Sequence, residues 1–145
     1  MNNRLLIVDD ERDIRESLVD FFTLQGYYTI GAENGISALK KMSNQKIDLI
    51  VSDIVMPTMN GVELLKQVKI EYPMVQVIMI TGYVTLDNAL ACLRRGAEAC
   101  VFKPFEDMRE LLQAVNTAKM KLENWDNKLK MLLAMKYDME DKNDL

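Results

Sequence analysis

The sequence predicts an α/β fold: a five-stranded parallel sheet, doubly wound with helices on both faces as (βα)5, followed by an extended C-terminal helix. Three observations predict it. Short apolar runs alternate with helix-period segments five times along the 145 residues. The first and third runs are apolar throughout, as strands covered on both faces are. After Pro104 there is no further Gly or Pro, and apolar residues recur at 3-4 spacing. Strand and helix in alternation give parallel strands with right-handed crossovers.

Each element has its own signal. Leu5 to Val8 reads as strand 1. Residues 11–25 carry Ile14, Leu18, Phe21 and Phe22 at helical spacing, and Gly26 ends them. Tyr27 to Ile30 is strand 2. A short helix over 35–43 puts Ile36, Leu39 and Met42 on one side. Leu49 to Val51 is strand 3. Val62, Leu65, Val68 and Tyr72 stripe the next helix, closed by Pro73. Val75 to Ile80 is strand 4, with Gln76 its one polar position. Leu86, Ala89, Leu90 and Leu93 stripe a fourth helix ended by Gly96, and Ala99 to Phe102 is strand 5. From Phe105 the chain reads as helix, along Met108, Leu111, Val115, Ala118, Leu122, Trp125, Leu129, Leu132, Lys136 and Met139. The first half of that stripe closes the sheet; the rest needs a partner. The expected division is a domain over 1–121 and a helical extension over 122–145.

Composition narrows the chemistry. Eighteen basic against 22 acidic residues give a net charge of −4, so no direct nucleic-acid binding is expected. No apolar run is long enough for a membrane span, and the start of the chain lacks a signal-peptide apolar region, so a cytoplasmic location and a native start at Met1 are expected. The absence of histidine excludes histidine zinc sites, Ser-His-Asp triads and phosphohistidine on this chain. Cys92 and Cys100 are too few for a disulfide framework or a four-cysteine metal site, and read as small core residues.

Sites in open α/β sheets form beyond the carboxyl ends of the strands. There stand Asp9, Asp10 and Glu11 after strand 1, Asp53 after strand 3, Thr81-Gly82 after strand 4 and Lys103-Pro104 after strand 5. Singly, Asp9 could be a helix cap, Asp53 a turn residue and Lys103 a solvated charge. Jointly they line one rim. Carboxylates brought together repel and call for a cation, and few all-oxygen ligands suit Mg2+. A metal beside a carboxylate, a lysine and a hydroxyl suits phosphoryl transfer, with the carboxylate as nucleophile.

At these residues the sequence resembles the receiver domain of two-component response regulators, the CheY-like family. The resemblance is carried by Leu6-Ile7-Val8-Asp9-Asp10-Glu11, by Ser52 to Gly61, by Thr81-Gly82, by Gly96-Ala97 and by Phe102-Lys103-Pro104-Phe105, and covers residues 4 to about 120. It implies the flavodoxin-like strand order 2-1-3-4-5. It implies that Asp53 is the phosphoacceptor and that Mg2+ is held by Asp10 directly, Asp9 partly through water, Asp53 and the Val55 backbone carbonyl. Lys103 would pair with the phosphoryl group across a cis Lys103–Pro104 bond, and the Thr81 hydroxyl would move to a phosphoryl oxygen. The donor would be a sensor histidine kinase or a phosphotransfer protein. The chain would be a switch rather than an enzyme, catalysing only its own phosphorylation and dephosphorylation, and the face of helix 4, strand 5 and helix 5 would change shape.

One departure stands out. The family's aromatic residue three places before the lysine is Cys100 here, and Phe102 is read as facing the wrong way to replace it. A phosphatase of the haloacid-dehalogenase type would carry D-x-D after strand 1 and a covering cap; here Asp9 and Asp10 are adjacent and no cap exists. A pure interaction module with a silent pocket is the other alternative. No output domain is visible, which leaves a stand-alone regulator or a fragment cut after a linker helix. The tail is expected to be a coiled-coil linker or a dimerisation helix forming a parallel homodimer, about 50 Å long at 1.5 Å per residue.

Overall fold

The computed structural model describes residues 3–82, 85–103 and 107–143. Its strands are β1 (Arg4–Val8), β2 (Tyr28–Ala32), β3 (Leu49–Asp53), β4 (Gln76–Thr81) and β5 (Ala99–Phe102), and its helices α1 (Arg12–Leu24), α2 (Gly35–Asn44), α3 (Gly61–Glu71), α4 (Leu86–Arg94) and α5 (Arg109–Asn143). All pairings are parallel, in the order β2-β1-β3-β4-β5. The order reverses between β1 and β3, so the crevice for a site lies at their carboxyl ends.

Alternation along the strands builds two cores. Leu6, Val8, Ile50, Val77 and Met79 face α2, α3 and α4, where Ala38, Met42, Leu64, Leu65, Val68 and Cys92 meet them. Leu5, Ile7, Leu49, Val51, Ile78, Ile80 and Val101 face α1 and α5, where Leu18, Phe22, Leu111, Val115 and Ala118 complete the layer. Tyr27 joins α5 to this layer, its hydroxyl donating to Asn116 Oδ1 at 2.6 Å.

Four expectations change. Ile36 of α2 is exposed, and Ala38 takes its place on the buried side. On α4, Leu86 and Leu93 are exposed, and Cys92 is the buried residue. Helix α5 starts at Arg109, where the Asp107 carboxylate accepts the Arg109 N–H at 2.9 Å and satisfies a first-turn donor. The fourth concerns Phe102. Cys100 pairs with Met79 and Phe102 with Thr81, so both lie on the same strand face, opposite Val101. Phe102 therefore shares the Cys100 face, one pleat nearer Lys103, and is half exposed. Met1, Pro104 with its expected cis bond, and Phe105 lie outside the described residues.

Among the described residues, no helix is long and apolar enough to cross a membrane. The last helix outruns its domain: Ala118 is buried, Leu122 half-buried, and nearly every position from Glu123 to Asp141 is exposed.

Candidate functional site

The sheet ladder sets the site's positions. The Asp9 N–H donates to the Ala32 carbonyl at 3.1 Å, which carries the β1–β2 pairing one residue beyond Val8. The Lys103 N–H donates to the Thr81 carbonyl at 2.8 Å and does the same for β4–β5. Asp53 is the last residue of β3, and Ile54 N–H donates to Ile80 at 3.1 Å. Asp9, Asp53 and Lys103 thus stand on a common rim because each continues a paired strand.

The loop after β3 is held as closely. Gly61 N–H donates to the Ile54 carbonyl at 2.7 Å, and Asn60 caps α3 by accepting the Glu63 N–H at 2.9 Å. A Cβ on Gly61 would lie 2.1 Å from the Asp53 carbonyl oxygen, so this turn admits no side chain. Thr58 supplies a positive φ of 67° in the same loop.

Asp9 is fully buried, Asp53 is 5% exposed, and Asp10 is exposed. One oxygen of each lies within 4.8 Å of the others. Lys103 Nζ reaches Asp9 Oδ2 at 2.8 Å, Asp53 Oδ2 at 3.1 Å and Glu11 Oε1 at 3.8 Å. The cation that three crowded carboxylates call for is therefore in part the protein's own ammonium. Asp9 Oδ1 accepts the Glu11 N–H at 2.9 Å. Both Asp9 oxygens are thus engaged, which leaves Asp10 as the open carboxylate.

Burial pushes the Asp53 carboxyl above its usual range; Lys103 pulls it down and the Asp9 charge adds to the rise. Burial works against the Lys103 ammonium, yet its bond to Asp9 and the charges of Asp53 and Asp9 hold it above its usual value. A carboxyl group held beside a buried ammonium is an arrangement that phosphoryl-transfer chemistry can use.

Thr81, the last residue of β4, is buried at the same edge. Val55 lies two residues beyond Asp53 with its side chain half exposed. The structure brings together Asp9, Asp10, Asp53 and Lys103 directly and places Thr81 and Val55 on the adjoining rim. Sequence reading gave no role to Arg15, whose Nη1 donates to the Asp9 carbonyl at 2.9 Å. It is one of several charged residues on α1, and nothing in its spacing sets it apart.

The donor set fits a hard divalent cation: three carboxylates, one of them exposed.

Similar proteins carry the same frame. The chain is 38% identical over 115 residues to the sporulation initiation phosphotransferase F of Bacillus subtilis, covering 79% of this chain and 92% of that protein. It is 40% identical over 116 residues to the regulatory protein AtoC of Escherichia coli, covering 80% of this chain and 25% of AtoC, so it spans about a quarter of that relative. The response regulator protein TrrA of Thermotoga maritima, solved in complex with Mg(2+)-BeF, superposes with a TM-score of 0.73 at 34% identity, covering 80% of this chain and 98% of that one. The response regulator receiver domain family matches residues 5–116, most of the chain, and the protein belongs to that family.

Proposed function

We propose that Asp53 accepts a phosphoryl group from a histidine kinase or a phosphotransfer protein, and that the modification sets the state of a signalling switch. The observation that carries this reading is the Asp53 carboxylate at the β3 edge, nearly buried, with Lys103 Nζ 3.1 Å away and Asp9 and Asp10 beside it. Asp10 and Asp53, with Asp9 and the Val55 carbonyl, would hold Mg2+, which when bound would neutralise charge on the phosphoryl oxygens.

An Asp53 carboxylate oxygen attacks the phosphorus of the donor's phosphohistidine. The P–O bond forms as the P–N bond breaks, and the electron pair leaves with the donor imidazole. Lys103, already between Asp9 and Asp53, keeps its bond to Asp9 and turns its remaining donors to the new phosphoryl oxygens. Thr81 donates its hydroxyl to another. Water later attacks the phosphorus, restores the Asp53 carboxylate and releases phosphate. The chain would catalyse these two steps upon itself and no others.

Residues 1–121 form the receiver in this reading, and 122–145 the extension that carries its output or its association.

Acetyl phosphate with Mg2+ should add one phosphate by intact mass. The addition should vanish in Asp53→Asn. A phosphate retained in that variant would move the acceptor elsewhere.

A further inference from the structure

The stripe on α5 has two halves with opposite surroundings. Leu111, Val115 and Ala118 are buried against the sheet. Leu122, Trp125, Leu129, Leu132 and Met139 continue the same 3-4 spacing past the amino-terminal edge of the sheet, and from Trp125 on they are 41–67% exposed. Leu122 and Leu129 look back at that edge across a groove of about 370 Å3, which they line with Ile47, Tyr72, Pro73 and Val75.

We propose that a second copy of this chain covers the stripe, pairing its α5 extension antiparallel to the first. The seam and the groove lie on the side of α5 that carries the sheet. A parallel partner helix would run about 8–10 Å from α5 on that side. Level with Leu111 to Ala118 it would meet the sheet itself, so the packing argues against the parallel pair expected from spacing alone. An antiparallel partner approaches from the carboxyl end of α5. Its own domain then lies beyond Met139, and its last turns end beside Leu122 at the mouth of the groove.

The one charge in the seam selects the same arrangement. The seam holds one charged residue, Lys136. In a parallel pair in register Lys136 faces its own copy, and the two clusters Asp138, Glu140 and Asp141 adjoin. In the antiparallel register Leu122 lies opposite the second copy's Met139, Leu129 opposite its Leu132, and Trp125 opposite its Lys136. The seam cation then sits by an aromatic ring. Lys128 already approaches that ring at 5.8 Å, which shows that it accepts a cation. At this register Glu140 falls opposite Lys121 and Asp138 opposite Glu123, so the choice rests on the seam cation Lys136. Exposed Leu133 and Met135 flank the seam and widen its apolar face.

The native chain at tens of micromolar should sediment at twice its monomer mass, and Leu129→Lys, a change at an exposed position, should restore the monomer. A monomeric native chain, or a dimer that persists in Leu129→Lys, overturns the proposal. Orientation is read by disulfides in a Cys92→Ala, Cys100→Ser background. Leu122→Cys and Met139→Cys proteins should cross-link when mixed and not alone. Self-linking of Met139→Cys would overturn the antiparallel pair.

Discussion

Gly61 contributes no polar side chain to the acidic rim, yet the placement of Asp53 depends on it. Its absent side chain lets α3 start against the Asp53 carbonyl, where a Cβ would come within 2.1 Å of the oxygen and 2.8 Å of Met79 Cε. Gly61→Ala should therefore destabilise the fold by about 1–3 kcal/mol in urea unfolding and slow phosphate uptake; a cost below about 0.5 kcal/mol would show that the loop gives way freely. Asp53 itself yields a pH prediction. Its carboxyl titrates higher folded than unfolded, mainly through burial. Folding therefore favours its protonated form, and the stability present in acid is lost as pH rises through the folded pKa. In metal-free buffer Asp53→Asn should be more stable than the native chain at neutral pH, and the gain should shrink as pH falls to the ordinary aspartate value. Equal stability at neutral pH would mean that Lys103 offsets the burial completely. The carboxylates and Lys103 were legible because each follows an apolar run. The engagement of Lys103 by Asp9 was not, because only the completed rim decides which carboxylate the ammonium meets.

Helix period tells that an element has a buried side, and does less well at saying which side. Short α2 and α4 show this. Large apolar residues such as Ile36, Leu86 and Leu93 lie exposed, while small Ala38 and Cys92 fill the interface. Exposed leucines are common on protein surfaces, so a stripe drawn through the largest residues can be out of phase. The Cys92 thiol is pushed up to about 11 by burial first and by Cys100 second. It should resist alkylation at mildly basic pH in the native protein and react fully once unfolded, as mass counting after iodoacetamide would show; rapid native modification of Cys92 would contradict the packing of α4. Strand alternation is a firmer guide, but it must be counted. Cys100 and Phe102 differ by two and share a face, which puts an aromatic ring beside Thr81 in the β4–β5 ladder. On α5 the long stripe was right in phase, since four successive turns fix an angle that two cannot.

At the scale of the molecule the (βα)5 order separates two ends. Four of the five strands, β1, β3, β4 and β5, bring the rim residues to the carboxyl edge, and α5, running back along the sheet, carries its surplus apolar stripe past the amino edge. This layout was legible throughout: apolar runs gave the strands, alternation gave the two cores, and the unbroken stripe gave the overhang. What lay beyond the sequence was the side of α5 on which the overhang faces its own domain, because that depends on how the helix docks. The separation makes the two ends independent in a testable way. The acidic rim draws on β1, β3, β4 and β5, and the α5 residues that close the core end at Ala118. A chain ending at Lys121 keeps all of these. Mg2+ should bind it as it binds the full chain, since it relieves carboxylate repulsion present only when the fold brings Asp9, Asp10 and Asp53 together. A metal that binds only the folded state stabilises it by about 1.4 kcal/mol at ten times its dissociation constant, which is several degrees in melting temperature for a domain of this size. Both chains should show the same Mg2+-induced rise, and Asp10→Asn should abolish most of it in each. A rise confined to the full chain would mean that the overhang reaches the rim, and the two-ended description of the molecule would have to be given up.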